Sequence, residues 1–464
     1  MKFGPGDIHS CLIVDGIEST PWLAATLRYD AEQGVELEIP YVSRIEQFEE
    51  PSRWFRSKEF PANLQVTTID GAITLFDCQL SRHTENLGRG TAFGTLSPQN
   101  VVLMDRDGSF ADDLSTRELR SRIDGLRHWS QFSAIKRTVH HDEGNRATKL
   151  VMEAEAVDSI EWRHGNFVMS IDTAWRENDN EDGFQVDDSV LLRSCSTQGS
   201  PIDAHIREQR KILNLLTVLF GQGMNFRGHS IRDPRFTSKL MEGGVYDMPY
   251  VELFSRSTLR DFNLTTPKLD RSEGPLVGLD VCGVTGLERW NACHDTWKRV
   301  IYPIVGLLSR SHYVEDSVVS GGIALEAASS LLGKIREEES TYNGKRKTMA
   351  THVFRALSSL PVDWTSVAES TQGLSRAVAD TYNSMKHFDR GEFPDPVHSY
   401  LFGKLSVLLA RLVLASQLVS SDAAKSFAEC WPVQTLLDEF RAHDIYVDRS
   451  GNIGRRTINQ GESP

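Results

Sequence analysis

A chain of 464 residues is too long for one hydrophobic core and implies two or three domains. Hydrophobic residues make up 39% and charged residues 25%, the balance of an ordinary globular chain. The net charge of -13 argues against broad, non-specific binding to duplex DNA or an anionic membrane, yet leaves room for a local basic pocket that grips one nucleic-acid strand.

In chain order, the start holds only four consecutive apolar residues, Cys11 to Val14, too few for a secretory signal. From there to about residue 190 the pattern is that of strands. Two runs meet at a turn at Gln33-Gly34, and Asp70-Gly71 between two further runs is a hairpin signal. "GTAFGTLSPQNVVLM", "RATKLVMEAEAV" and "GNFVMSIDTAW" continue the pattern, while "DDLSTRELRSRIDGLRHWSQF" is predicted as a helical insert. Many short strands at this spacing predict a sandwich or a curved sheet. Around Pro201 the period changes. Ile202, Ile206, Ile212, Leu215, Leu216 and Leu219 fall at helical spacing, and Gly221 ends the run. "VYDMPYVELFSR" returns to strand character, and the Gly- and Pro-rich "TTPKLDRSEGPLVGLDVCGVTG" reads as a connection.

From about Leu287 the sequence predicts helices near 287–311, 316–338, 347–358, 366–387, 397–419 and 422–442. The apolar stretch Leu405 to Val419 is broken by Arg411 and too short to span a bilayer, so it is expected to be a buried helix. The expected fold class is α+β. A β-rich, sandwich-like N-terminal domain covers 1–275 with a helical segment near 201–220, an all-α bundle covers 285–445, and a polar, loose tail covers 446–464.

Six cysteines are scattered without a C-x-x-C pair, which argues against a disulfide framework or a structural zinc and for a reducing, cytoplasmic setting. Cys293-His294 has no partner pair at ligand spacing, and His140-His141-Asp142-Glu143 sits in a charged turn, so neither metal nor cofactor is expected. "GRGTAFG" (88–94) has the glycines of a phosphate loop, but no Lys-Ser/Thr and no helix follow, and it is predicted as a hairpin or bulge. "GKRK" (344–347) and "REQRK" (207–211) read as solvated basic faces.

The helix ending in "TYNSMKHFDRG", Thr381 to Gly391, carries more. On a helical wheel Leu374, Val378, Tyr382 and Met385 gather on one side, with Arg376, Asp380, Asn383 and His387 roughly opposite. Asn383 and His387 are i,i+4 neighbours able to touch one ligand, whereas Arg376 lies about three turns from His387. A solvated helix face gives the same stripe, and periodicity alone does not separate the two readings.

"SVVSGGIALEAASSLLG" (317–333) and "ADTYNSMKHFDRGEFPDPVHSYLFGKLSVLLARLVL" (379–414) resemble the first helix, and then the motif helix, acidic loop and apolar helix, of the HEPN superfamily. "STPWLAATLRYDAEQGVELEI", "GAITLFDCQL", "FGTLS", "LRHWSQF" and "ILNLLTVLFGQG" resemble, in that order, the N-terminal domain of ApeA-type proteins. The resemblance covers most of the chain. ApeA-type proteins are bacterial anti-phage defence proteins whose HEPN domain is taken to be a ribonuclease that stops infected cells. The resemblance therefore implies a metal-independent endoribonuclease of abortive infection. Its implied partners are RNA, a phage-derived trigger at the N-terminal domain, and a second copy in a homodimer or higher homo-oligomer, with no membrane. The family motif is Arg-Asn-x-x-x-His. Asn383 matches the Asn and His387 the His, but Tyr382 stands where the Arg is expected.

Metal-free RNA cleavage drives a ribose 2′-hydroxyl onto its own phosphate. It needs proton transfer, for which His is suited near neutral pH. It also needs positive charge on the phosphate in the transition state, which Arg supplies with a two-pronged fork. Tyr382 supplies none. The resemblance thus implies His387 as acid/base, Asn383 as the orienting group and Lys386 as the charge, with Arg376 or Arg411 of a second copy as another source. Glu326, in the Ala324-Leu325-Glu326 segment, would hold the basic residue or form an unrelated salt bridge. The alternative stays open: a degenerate, non-catalytic HEPN module that binds RNA or a nucleotide, or serves dimerisation and phage sensing, in which Tyr382 marks lost activity.

Overall fold

In a computed structural model, residues 3–14, 23–44, 49–106, 112–155, 159–180, 183–240, 242, 244–269, 274–387 and 393–455 are described. The chain divides into two units, one of residues 1–124, 133–210 and 225–266, the other of residues 125–132, 211–224 and 267–464. The fold class is α+β, as the sequence predicts: an antiparallel sheet first, helices after.

The sheet unit opens with strands β1 (Ile8–Val14), β2 (Leu23–Asp30) and β3 (Gly34–Val42), then helix α1 (Glu49–Arg56). Strands β4 (Leu64–Thr68), β5 (Gly71–Phe76), β6 (Gln79–Asn86), β7 (Thr91–Ser97), β8 (Asn100–Val102) and β9 (Ser115–Ile123) follow. After the short helix α2 (Leu126–Ser130) come β10 (Ile135–His141), β11 (Ala147–Ala154), β12 (Ile160–His164), β13 (Phe167–Asn180) and β14 (Gly183–Pro201). Helix α3 (Ile202–Phe220) leads to β15 (Phe226–Arg232), β16 (Ser238–Lys239), β17 (Val245–Asp247), β18 (Val251–Ser255) and helix α4 (Leu259–Asn263). Fourteen of these strands form one continuous sheet in the order β12-β13-β14-β9-β15-β18-β8-β5-β4-β1-β2-β3-β7-β6. Alternation places its inner face. Along β2 every second residue, Leu23, Ala25, Leu27 and Tyr29, is buried and joins a core with Leu37, Val66, Trp54 and Phe55.

Local turn chemistry holds where it was read. Gly71 pairs with Thr68 to close the β4–β5 hairpin. "GRGTAFG" spans the β6–β7 turn, and Gly94 lies so close to Phe55 that a Cβ there would sit 2.1 Å from its ring. The helical insert does not hold. Residues 115–123 are strand β9, and only α2 is helical. Leu119 and Ile123 fit either period, but Ser121 between them also faces inward, and β9 is paired on both sides, by β14 and β15. His140 and His141 end β10, and the Asp142 carboxylate accepts from the backbone N–H groups of Gly144 and Arg146, both at 2.9 Å, which assigns it to the turn.

Against this sheet α3 presents a polar seam that no period announces. His205 and Gln209, one turn apart, are both fully buried. His205 Nδ1 lies 2.8 Å from Ser194 Oγ, and its Nε2 3.0 Å from Thr116 O. Gln209 donates to Leu119 O and to Ser194 Oγ, at 3.0 and 2.9 Å, and accepts from Ser121 Oγ. Ser121 Oγ also meets His229 Nδ1 at 2.6 Å, while His229 Nε2 meets Thr258 Oγ1 at 2.9 Å. Burial pushes the His229 imidazole down to about 3 and lowers His205 as well, so both are held neutral.

The helical unit is built of α5 (Leu279–Leu308), α6 (Val314–Leu332), α7 (Met349–Ser359), α8 (Thr371–Lys386), α9 (Pro396–Ser416) and α10 (Trp431–Ala442). Helix α10 starts later than predicted. Residues 423–429 form a 3-10 helix instead, and Pro432 suits a first-turn position of α10. Helix α9 is long and apolar enough to cross a membrane by length and composition, and 78% of its most apolar window is buried within the protein. It crosses α6 at small residues. A Cβ on Gly321 would sit 2.7 Å from that of Ser406, and one on Gly403 3.2 Å from that of Ser317. Residues 446–454, in the expected tail, form a hairpin of β19 (Tyr446–Val447) and β20 (Ile453–Gly454), with Val447 fully buried.

Candidate functional site

Helix α8 begins at Ser370, whose hydroxyl accepts from Gly373 N at 3.0 Å. Of its predicted seam, Leu374, Val378 and Tyr382 are buried and Met385 is half-buried. Against the expected 366–387 the helix runs from Thr371 to Lys386, starting five residues later and stopping one earlier. His387 caps it in extended backbone, its N–H donating to Asn383 O at 2.9 Å. Asn383 and His387 are half-buried at this last turn, and Asp380 is exposed.

Tyr382, at the position where the motif has Arg, points into the bundle and is 4% exposed. Its ring lies on Gly322 of α6, where an added Cβ would stand 2.2 Å from Cδ2. The phenol has a cationic partner. Lys386 Nζ donates to Tyr382 OH at 2.8 Å and lies 5.0 Å from the ring centroid. The hydroxyl bond raises the Lys386 pKa, and the charge of Glu326 raises it further. Glu326, exposed on α6, also acts on His352 of α7, whose Nδ1 lies 2.8 Å from Ser329 Oγ and whose pKa burial lowers. The fold thus gathers Tyr382, Lys386 and Glu326 and adds His352, a residue the sequence reading missed. His352 sits on an ordinary amphipathic helix, and only the meeting of α6, α7 and α8 brings it here.

The two arginines lie elsewhere. Arg376 donates to the carbonyls of Arg449, at 3.2 Å, and Ser340, at 2.8 Å, and so ties α8 to neighbouring turns. Arg411 is buried in α9 and caps the end of α3, with Nε donating to Val218 O at 2.8 Å and Nη2 to Leu219 O at 3.1 Å. Burial lowers its pKa to about 10. A helix C-terminus stabilises a cation by about 0.3–2 kcal/mol, against a desolvation cost of several kcal/mol. Neither arginine joins the cluster around Lys386 within its own chain.

A second charged group was also missed. Arg355 of α7 and Glu338, in the connection after α6, are 3% and 0% exposed. They form a two-pronged pair, Nε–Oε2 at 2.7 Å and Nη2–Oε1 at 2.8 Å. Tyr342 OH and Ile335 N also donate to this carboxylate, at 2.5 and 2.9 Å. The Arg355 bond, aided by these donors, draws Glu338 down to about 2. Every carboxylate oxygen here is engaged, so the pair is a clamp on residues 335–342.

Comparison with known families reaches the other unit. Residues 20–234 match the family described as ApeA N-terminal domain 1. The similarity is to that domain, over a little under half of the chain. The match supports an ApeA-like defence protein, and it ends before α5, so the helical bundle lies outside it. No curated protein and no solved structure matches the chain.

Proposed function

We propose that the chain is an anti-phage defence protein whose helical unit is a HEPN-type, metal-independent endoribonuclease acting in abortive infection. The observation that carries this reading is Lys386 seated on Tyr382. The motif position that lacks an Arg has a cation delivered to the tip of its side chain from one turn away, 2.8 Å from the hydroxyl. In this reading His387 moves the proton of the ribose 2′-hydroxyl, Asn383 orients the imidazole or the phosphate, and Lys386 meets the charge that grows on the phosphate. RNA is the substrate, a phage-derived component acts on the sheet unit, two copies set their motif helices face to face, and the site of action is the cytoplasm.

The non-catalytic reading has its own observation. Glu326 opposes the Lys386 charge, and a Lys is a single point charge where Arg would present a fork. An RNA- or nucleotide-binding or dimerising module needs no more. Phage plating on bacteria expressing the wild-type chain, His387→Ala or Lys386→Met at matched levels separates the two. Protection by the wild type and by neither variant supports cleavage. Equal protection by all three refutes it and leaves the binding module.

A further inference from the structure

Within the helical unit, a cleft of about 330 Å³ opens beside the end of α3, bordered by α9 and α10. Arg411, Lys404, His312, Ser317 and Thr435 are among its polar residues, and Phe220 and Leu308 are among its apolar ones. The volume falls in the range of small-molecule sites. Tyr382, Asn383, Lys386 and His387 are not part of its lining.

We propose that this cleft binds a small organic anion, a phosphate or carboxylate head on an apolar or ring-bearing body, with the head on Arg411. Three observations converge. Arg411 uses Nε and Nη2 on two backbone carbonyls; among the described residues Nη1 donates to no group, and no carboxylate pairs with the guanidinium. A charge taken out of water with only a helix end to meet it is a site for an anion. Thr435 Oγ1, on a residue that lines the cleft from α10, is buried and without a partner among the described residues, a polar atom left unsatisfied beside the cleft. The Lys404 ammonium is already held by the Glu439 carboxylate, at 2.7 and 2.8 Å, so Arg411 is the cation left for the ligand. The leucine and phenylalanine walls give the body its apolar surface.

The test is a fluorescence titration of the full chain with 8-anilinonaphthalene-1-sulfonate, an aryl anion that brightens on leaving water. Wild type is expected to bind it saturably, and the neutral N-phenyl-1-naphthylamine at least about tenfold more weakly, the loss of one charge-assisted bond. Arg411→Met is expected to lose about tenfold as well. Because that change also uncaps α3, Leu308→Trp, which fills the cleft and keeps Arg411, is the second variant and is expected to abolish binding. Phenyl phosphate and phenylacetate then compete with the probe, and whichever displaces it names the head group. Absent saturable binding, equal affinity for the neutral analogue, unchanged affinity in Leu308→Trp, or displacement by neither competitor overturns the proposal.

Discussion

Acid should weaken the sheet unit through His229. The folded imidazole is held neutral down to about pH 3, whereas an unfolded one titrates near 6.5. Its folded pKa is depressed, so its contribution is complete above pH 6.5 and is lost as pH falls from there toward 3. The limiting slope is about 1.4 kcal/mol per pH unit, and the loss between about pH 7 and pH 5 comes to about 2 kcal/mol. His229→Gln carries no titrating group. It should lower stability at neutral pH by about 1–3 kcal/mol, because Ser121 and Thr258 lose a matched partner. Its further loss on going to pH 5 should be smaller than that of the wild type by about 2 kcal/mol. Hydrogen exchange of β9 and β15 peptides, corrected for intrinsic rates at each pH, measures the opening free energy where His229 sits. A variant that loses as much stability as the wild type between the two pH values would refute the neutral-imidazole argument.

Gly322→Ala places a Cβ 2.2 Å from Cδ2 of the Tyr382 ring, well within contact distance. It should cost about 1–3 kcal/mol by overpacking in urea unfolding followed by helical circular dichroism, and should release Lys386 from its seat. Glu338→Gln leaves Arg355 buried beside a neutral group. A loss of about 3–5 kcal/mol is expected at neutral pH. In the wild type the Glu338 contribution should be present above about pH 4.5 and fade as pH falls toward 2, whereas the variant's stability should lack that component. Tyr382→Phe keeps the ring on Gly322 and removes the acceptor of Lys386. Stability should change by about 1 kcal/mol or less, while any RNA cleavage by the purified protein should fall; unchanged cleavage would remove Tyr382 from the positioning of Lys386.

The motif helix was legible because its signal is local. Leu374, Val378 and Tyr382 bury along one stripe, as a period of 3.6 requires. The roles of the charged residues were not legible, because their partners are distant in sequence. Arg411 looks like an interruption of an apolar run, and its acceptors lie 192 and 193 residues back. Glu338 falls at the end of the predicted helix 316–338, yet α6 stops at Leu332 and Arg355 holds Glu338 fully inside. The His205–Gln209 seam failed for the same reason. Polar residues on an amphipathic helix are assigned to water unless the sheet they meet is known. Strand β9 was misread where Leu119 and Ile123 satisfy two periods at once, and only its two neighbours choose between them.

The strand order also governs how the protein must be made. Strands β1–β8 form one block of the sheet and β9 with β12–β14 another, and β15 and β18 stand between β8 and β9. A ribosome that has released only the first 201 residues has therefore produced two half-sheets with open edges at β8 and β9, and both wait for chain made after α3. The family-matched segment ends at residue 234, after β15 but before β18, which pairs β15 on one side and β8 on the other. A fragment cut at that boundary would lack its keystone strand and present unpaired backbone to any neighbour. One extended through α4, to Asn263, would carry every strand of the large sheet.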